Sequence, residues 1–275
     1  MQTQPILVIG ATGKTGSRIA KRLEQKGFSV RHGSRSAAIP FDWEKPETWK
    51  AALQGVSAAY VSYFPDIAFP GAVDKVEAFA ALARQLGLKR LVLLTGRGEH
   101  HAERAEKTIA ASGVPFTIIR SAWFAQNFTE GALSAPVMAG ILPMPGGDVV
   151  EPIIDVNDIA DVAVAALTED GHDGKLYEVT GPRLMSFTEM AAEISAVTGQ
   201  PLQHVAISFE EFYAALARDN GEMIAGIVTE IARETLDGRN AHLADGVQRA
   251  LGRAPRDFFD FASDAARSGA WAAAA

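Results

Sequence analysis

ILVIGATGKTGSRIAKRLEQKG, residues 6–27, decides the fold. Ile6 to Ile9 are four apolar residues and predict a short buried strand. Gly10, Gly13 and Gly16 follow at G-x-x-G-x-x-G spacing, and a helix begins inside that run with Ile19, Ala20 and Leu23 on one face. The first glycine turns the chain sharply out of the strand. The second lets backbone N–H groups approach a pyrophosphate, and the third lets the helix pack close on the strand. The helix N-terminus offers unpaired N–H donors and the positive end of its dipole to phosphate groups. Strand, glycine loop and amphipathic helix in that order predict dinucleotide binding by Gly10, Ala11, Thr12, Gly13, Lys14, Thr15 and Gly16. The Gly-Lys-Thr inside the loop is part of a triphosphate-binding pattern, but Thr15 comes too early to complete it.

Working outward, strand and helix signals alternate. Phe28 to Arg31, Ile39 to Trp43, Ala58 to Ser62, Lys89 to Thr95 and Phe116 to Arg120 are the expected further strands. Helices are expected at Pro46 to Leu53, Val73 to Leu86 and Ala102 to Ser112, the last two closed by Gly87 and Gly113. KRLVLLT, residues 89–95, is nearly all apolar, as a parallel strand covered on both faces should be. The fold class is therefore α/β: a Rossmann-type, doubly wound parallel sheet with its ligand at the carboxyl ends of the strands. After Arg120 the rhythm changes. Ala125 to Ala139 reads as a helix, Asp155 to Leu167 as another, and Lys175 to Thr180 as a strand. Ser186 to Glu189 and Ser208 to Glu211 read as capping boxes, and 205–270 as mostly helical. Residues 1–150, with parts of 151–182, are expected to form the cofactor domain, and 183–275 a smaller, mostly helical lobe covering the ligand. The terminal WAAAA carries no core pattern and is expected to fray.

Composition bounds the function. The chain has 275 residues, 48% of them hydrophobic and 21% charged, ordinary values for a globular protein. A net charge of -7 gives no general attraction to nucleic acid or anionic membranes. The chain has no cysteine, which removes disulfides, thiolate nucleophiles and cysteine-ligated zinc and fits a reducing compartment. Scattered histidines without ligand spacing predict no metal. No apolar run approaches the length of a membrane span, and MQTQPILVIG lacks the basic start of a signal peptide, so a cytoplasmic location is expected. The expected partner is a small-molecule substrate, and a homodimer is left open.

GATGKTG, RLVLLTGRGE, AEKTIAASGVPFTIIRSAWFAQNF, DVNDIADVAVAAL and GKLYEVTGP occur in this order. Together they resemble the NmrA-like group of atypical short-chain dehydrogenase/reductases. EKTIAASGVPFTIIRSAWFAQN is similar to the corresponding segment of type 2 NAD(P)H:quinone oxidoreductases and triphenylmethane reductases. WF-x-x-NF and DGRNAHLADGVQRALGR resemble a bacterial branch grouped with ergot-alkaloid reductase-like proteins. The resemblance implies one of two functions. The first is an NADPH-dependent reductase passing hydride to a small electron-poor aromatic acceptor such as a quinone. The second is a redox sensor that binds cofactor and catalyses nothing.

The tip of the second strand reads Arg31-His-Gly-Ser-Arg35, without the acid that NAD binders place there for the ribose 2′-OH. Arg35 is expected to bind the 2′-phosphate of NADP(H), with Ser34 and Ser36 adding hydroxyls; the alternative is a solvated surface arginine. Arg31 falls within the strand. By resemblance, Asp42 lies near the adenine; it is equally placed to cap the helix at Pro46. Tyr63 and Phe64 lie by resemblance along the cofactor ribose, or they only wall the pocket. Thr95 stands near the level of the serine that holds a carbonyl in short-chain dehydrogenases. That family's Tyr-x-x-x-Lys acid is missing, because the following helix reads HHAERAEK from His100 to Lys107. Histidine as a residue type titrates near neutral pH, so His100 and His101 are the candidate proton donors; a solvated pair at a helix start is the alternative. Asn127 is expected by resemblance to bond the carboxamide or a phosphate oxygen. Trp123 and Phe124 are expected to wall the substrate pocket, with ordinary core packing as the alternative.

Overall fold

A computed structural model of the chain describes residues 4–272. Strand β1 is Ile6–Ile9, and its side chains alternate: Leu7 and Ile9 enter the core on one side of the sheet, Ile6 and Val8 the core on the other. Helix α1, Lys14–Gln25, buries Ile19, Ala20 and Leu23. It ends with the Gly27 N–H on the Glu24 carbonyl and the Phe28 N–H on the Leu23 carbonyl, at 2.9 and 3.0 Å, with Gly27 at φ +83°. Phe28 is thereby used in closing the helix, and β2 starts two residues later than its apolar pattern suggests, at Val30–Gly33.

The expected strand at 39–43 does not form. Pro40 has no N–H for a ladder. Phe41 and Trp43 still point to one side, as alternation requires, but they insert as plugs against Trp49 and Phe79. β2 is left as the sheet edge. Arg31 reaches past it, Nη1 donating to the carbonyls of Ala51, Ala52 and Gln54 at 3.3, 2.8 and 2.7 Å. It therefore caps the end of α2 (Trp49–Leu53).

The remaining elements of this half are β3 (Ala58–Val61), α3 (Ala72–Gln85), β4 (Arg90–Gly96), α4 (His100–Ala111) and β5 (Phe116–Ser121). The region expected as one helix over 125–139 is two, α5 (Asn127–Glu130) and α6 (Ser134–Met138). Gly131 takes an extended conformation between them. Then come β6 (Ile141–Met144), β7 (Val150–Glu151), α7 (Val156–Thr168) and β8 (Lys175–Val179). The chain continues through β9 (Met185–Ser186), α8 (Phe187–Thr198), β10 (Gln203–Ala206), α9 (Phe209–Asn220) and α10 (Glu222–Thr235). It closes with α11 (Gly246–Leu251) and α12 (Phe258–Arg267). Both capping boxes form, at Ser186 with Glu189 and at Ser208 with Glu211.

The main sheet is parallel, in the order β2-β1-β3-β4-β5-β8. One face packs on α2, α3 and α4, the other on α1, α7 and α11. The chain steps from β1 outward to β2 and then back to β3 on the other side. The crevice between the β1 and β3 loops is thus the switch point where such sheets bind ligands. A third core gathers side chains from Ala125 to Ala265 around Phe128, Phe187 and Phe258. Trp271 does not fray: its indole N–H donates to the Phe128 carbonyl at 2.9 Å and its ring meets Phe261 edge-on. The alanines at 273–275 lie outside the described residues. Among the described residues no helix is long and apolar enough to cross a membrane.

Candidate functional site

The switch point is built by the glycine loop. Gly10 has φ +74°, and its carbonyl accepts the Gly13 N–H at 2.8 Å, curling the loop tightly. A Cβ on Gly16 would stand 2.2 Å from the Gly10 carbonyl oxygen, so only glycine lets α1 sit this close. A Cβ on Gly13 would meet the same oxygen at 3.3 Å. The N-cap of α1 is Gly13, with no side-chain cap and no acid in the first turn. The first-turn N–H groups are left for an anion, with no negative charge opposing it. Thr12 and Gly13 are exposed and Ala11 is buried. Thr15 faces inward, where its hydroxyl takes the buried Tyr60 O–H at 2.9 Å. That bond ties α1 to β3, and burial pushes the Tyr60 phenol far above its ordinary value. These residues fit a pyrophosphate. Lys14 stands half-buried at the mouth, its ammonium brought below the ordinary value by burial and partly restored by Glu130.

Arg35 lies exposed just past β2, its guanidinium 6.0 Å from the ring centre of Phe64, which is 68% exposed. The Ser34 and Ser36 hydroxyls are 3.5 Å apart beside it. No acid occupies this tip. Asp42 is not a helix cap: its Oδ1 accepts the Glu44 N–H at 3.0 Å, and Lys45 holds the N-cap position of the turn at Pro46–Thr48.

A cavity of about 490 Å³ extends from this crevice over the ends of β4 and β5. Tyr63, Trp123, Phe124, Asn127, Thr95 and Lys14, all singled out from the sequence, line it together. Tyr63 is buried against Trp43, with ring centres 4.8 Å apart. Trp123 donates its indole N–H to Thr235 at 3.1 Å, which fixes its plane. The Thr95 hydroxyl is committed below the cavity, donating to Glu106 at 2.7 Å, and Arg120 grips the same carboxylate. Phe64 is outside the lining, as are His100, which is exposed, and His101, which is half-buried.

Several lining residues escaped the sequence reading. Ile224, Val228 and Ile231 of α10, with Phe212 and Leu216 of α9, roof the cavity. The spacing of the α10 trio is helical, which was the available signal. Arg97 is buried, donating to Glu178 at 2.6 Å and to the carbonyls of Asn240 and His242 at 2.7 and 2.8 Å, and so clamps β4 to the C-terminal region. Asp66 and Glu99 bring two carboxyls to the cavity. Asp66 accepts the Ala68 N–H at 2.8 Å, and burial raises its pKa. Glu99 is 8% exposed, and its Oε2 is buried without a hydrogen-bond partner. Burial, with the negative charges of Asp66 and Glu234 added, pushes it up to about 8.

The family described as NAD(P)H-binding matches residues 10–170. The NAD(P)H azoreductase of Xenophilus azovorans is 32% identical over 282 residues, covering 94% of this chain and 96% of that protein. The Citrobacter sp. triphenylmethane reductase complexed with NADP(H) superposes with a TM-score of 0.73 at 23% identity, over 95% of this chain and 99% of that one. The NADPH-dependent quinone oxidoreductase QOR2 of Escherichia coli, complexed with NADPH, gives a TM-score of 0.75 at 21% identity, over 94% and 99%.

Proposed function

The chain belongs to the NAD(P)H-binding family, and from that premise we propose that it is an NADPH-dependent reductase of flat, electron-poor acceptors such as quinones. The observation that carries this reading is the aromatic-walled cavity of about 490 Å³ running from the glycine loop over the sheet's carboxyl ends. It has the size and apolar character of a small-molecule site. The relatives named for azo, triarylmethane and quinone acceptors share a flat conjugated group.

When bound, the nicotinamide supplies the hydride. The protein's part is binding, orientation and exclusion of water. The first-turn N–H groups of α1 and the backbone of Gly10–Gly16 hold the pyrophosphate, with Lys14 beside it. Arg35, backed by Phe64 and flanked by Ser34 and Ser36, pairs with the 2′-phosphate and selects NADPH over NADH. Asp42 lies toward the adenine. Asn127 and Tyr63 steady the cofactor near the cavity, and Trp123 and Phe124 sandwich the acceptor. Residues 1–150, with parts of 151–182, carry the cofactor, and 183–275 close over the acceptor through α9 and α10.

One observation favours a sensor instead, the missing Tyr-x-x-x-Lys acid. A sensor, however, has no use for an aromatic cavity at the sheet's carboxyl ends. Steady-state NADPH oxidation with a panel of small quinones and conjugated dyes decides between them. Turnover supports the reductase; tight NADPH binding with no turnover across the panel supports the sensor.

A further inference from the structure

We propose that Glu99 is the proton donor for the acceptor, its carboxyl held over Gly96 at the end of β4, where it lines the cavity beside Asp66. This rests on the reductase reading and adds to it the group that completes the reaction.

Placement comes first. A Cβ on Gly96 would lie 1.7 Å from Glu99 Oε1 and 2.8 Å from Oε2. The carboxyl therefore fills the space directly above the strand tip, which only a glycine vacates. The tips of parallel strands are where the ligand of such a sheet lies, and Gly96, Glu99 and Asp66 all line the cavity.

Charge comes second. A buried carboxylate needs a cation or donors, or it takes up a proton. None is supplied. Arg97, two residues away, is spent on Glu178 and two carbonyls. Glu234 of α10 and Asp66 of the β3 loop face Glu99 with negative charge. His101 acts on Asp66, favouring that residue's ionised form. Lys14, which also lines the cavity, lies under the field of Glu130. Asp66 is half-buried and Glu99 nearly fully buried, so of two like charges Glu99 is the one that stays neutral. Protonated, it has an O–H, yet Oε2 has no protein partner. A buried carboxyl without a protein partner, on a residue that lines a cavity, is matched by a ligand acceptor.

Three other hydroxyls near the cavity are taken. Thr95 donates to Glu106, Tyr60 to Thr15, and Tyr63 shares its hydroxyl with Lys75. A pKa near 8 leaves Glu99 protonated at neutral pH yet able to release the proton to a more basic anion.

The step balances. NADPH is oxidised to NADP⁺ by giving up a hydride, and the acceptor gains that hydrogen with its electron pair, leaving an oxygen or nitrogen anion. The carboxyl O–H bond of Glu99 breaks with its electrons staying on the carboxyl, and an O–H or N–H bond forms on the acceptor. Water then returns a proton to the carboxylate. A quinone or azo acceptor needs this proton, whereas a cationic triarylmethane dye is already neutral once the hydride reaches it.

The test compares Glu99→Gln with the parent protein on a small quinone and on a cationic triarylmethane dye, both with NADPH. The ratio of quinone to dye kcat should fall about 10²-fold or more, within the range of lost general-acid catalysis. Gly96→Ala, which drives the carboxyl from its seat, should lower the same ratio. In the cofactor-free protein, infrared spectroscopy should show a carboxylic-acid C=O band at neutral pH that titrates near 8 and is absent from Glu99→Gln. Quinone turnover in the parent protein should fall above that pH while dye turnover does not. An unchanged ratio in Glu99→Gln, or no such band, overturns the assignment while the reductase reading stands. A parent protein that reduces neither acceptor overturns both.

Discussion

Glu151 is 1% exposed in β7, and neither of its carboxylate oxygens has a hydrogen-bond partner. Burial, reinforced by Asp237 and opposed by Arg97, pushes it up to about 7. Its folded value stands above the ordinary 4.5, so the folded state holds the proton over the interval where the unfolded chain has lost it. The stabilisation is full below the unfolded value and is lost as pH rises through about 7. The gap corresponds to about 3 kcal/mol at high pH. Part of it is already spent at pH 5, so the change between about pH 5 and pH 8.5 is about 2–3 kcal/mol. Glu151→Gln removes the titration and keeps the shape. Urea unfolding of both proteins at the two pH values checks it, and the difference between the two curves cancels Glu99, His172 and other shared groups. The variant should gain on the parent by about 2–3 kcal/mol between pH 5 and pH 8.5. Parallel pH dependence, or a parent that grows more stable relative to the variant as pH rises, refutes the argument.

Arg35→Ala removes a charge-assisted phosphate contact worth about 1.5–3 kcal/mol; Arg35 is exposed and screened by salt, so the lower half of that range applies, about 10–50-fold in NADPH affinity. NADH binding should be nearly unchanged, and equal weakening of both cofactors by calorimetry would deny Arg35 the 2′-phosphate. Gly13→Val should abolish cofactor binding in a folded protein, because its branches point into the pyrophosphate position; unchanged affinity with an intact circular-dichroism spectrum counts against the glycine-loop site. The double variant His100→Ala with His101→Ala should retain quinone turnover within about threefold, whereas a loss approaching the 10²-fold expected for Glu99→Gln would return the proton to a histidine.

The parts of the fold legible in the sequence are those written locally. Gly10 and Gly16 are dictated by one left-handed turn and one close approach, and the strands Ile6–Ile9 and Arg90–Gly96 carry their burial in consecutive apolar residues. Ile39 to Trp43 misled because alternating apolar side chains describe where Phe41 and Trp43 point, not whether Pro40 allows a ladder. The 125–139 stretch has helical content, and Gly131 alone breaks it. Trp271 has no pattern around it, since its partners Phe128 and Phe261 are brought by the fold.

The site divides in the same way. Tyr63, Trp123 and Phe124 follow closely after strands, and Asn127 opens the short helix after β5, so all four reach the cavity at the strand ends. Glu99 stands in the RLVLLTGRGE segment beside two histidines, and nothing in its local sequence sets it apart from a surface acid. What changes Glu99 is burial by α10 and the charge of Asp66, contributed from distant parts of the chain. An ordinary pKa is a local property of a residue; a perturbed one belongs to the packed structure.

The most direct measurement is steady-state oxidation of NADPH by the intact protein with a small quinone, set beside a simple aliphatic ketone. The ketone is the weaker electrophile, and it lacks the flat conjugated ring that the aromatic walls of the cavity would hold. The account predicts measurable quinone turnover, NADPH favoured over NADH, and the ketone at background. Saturable NADPH binding without turnover of any quinone or conjugated dye would contradict it.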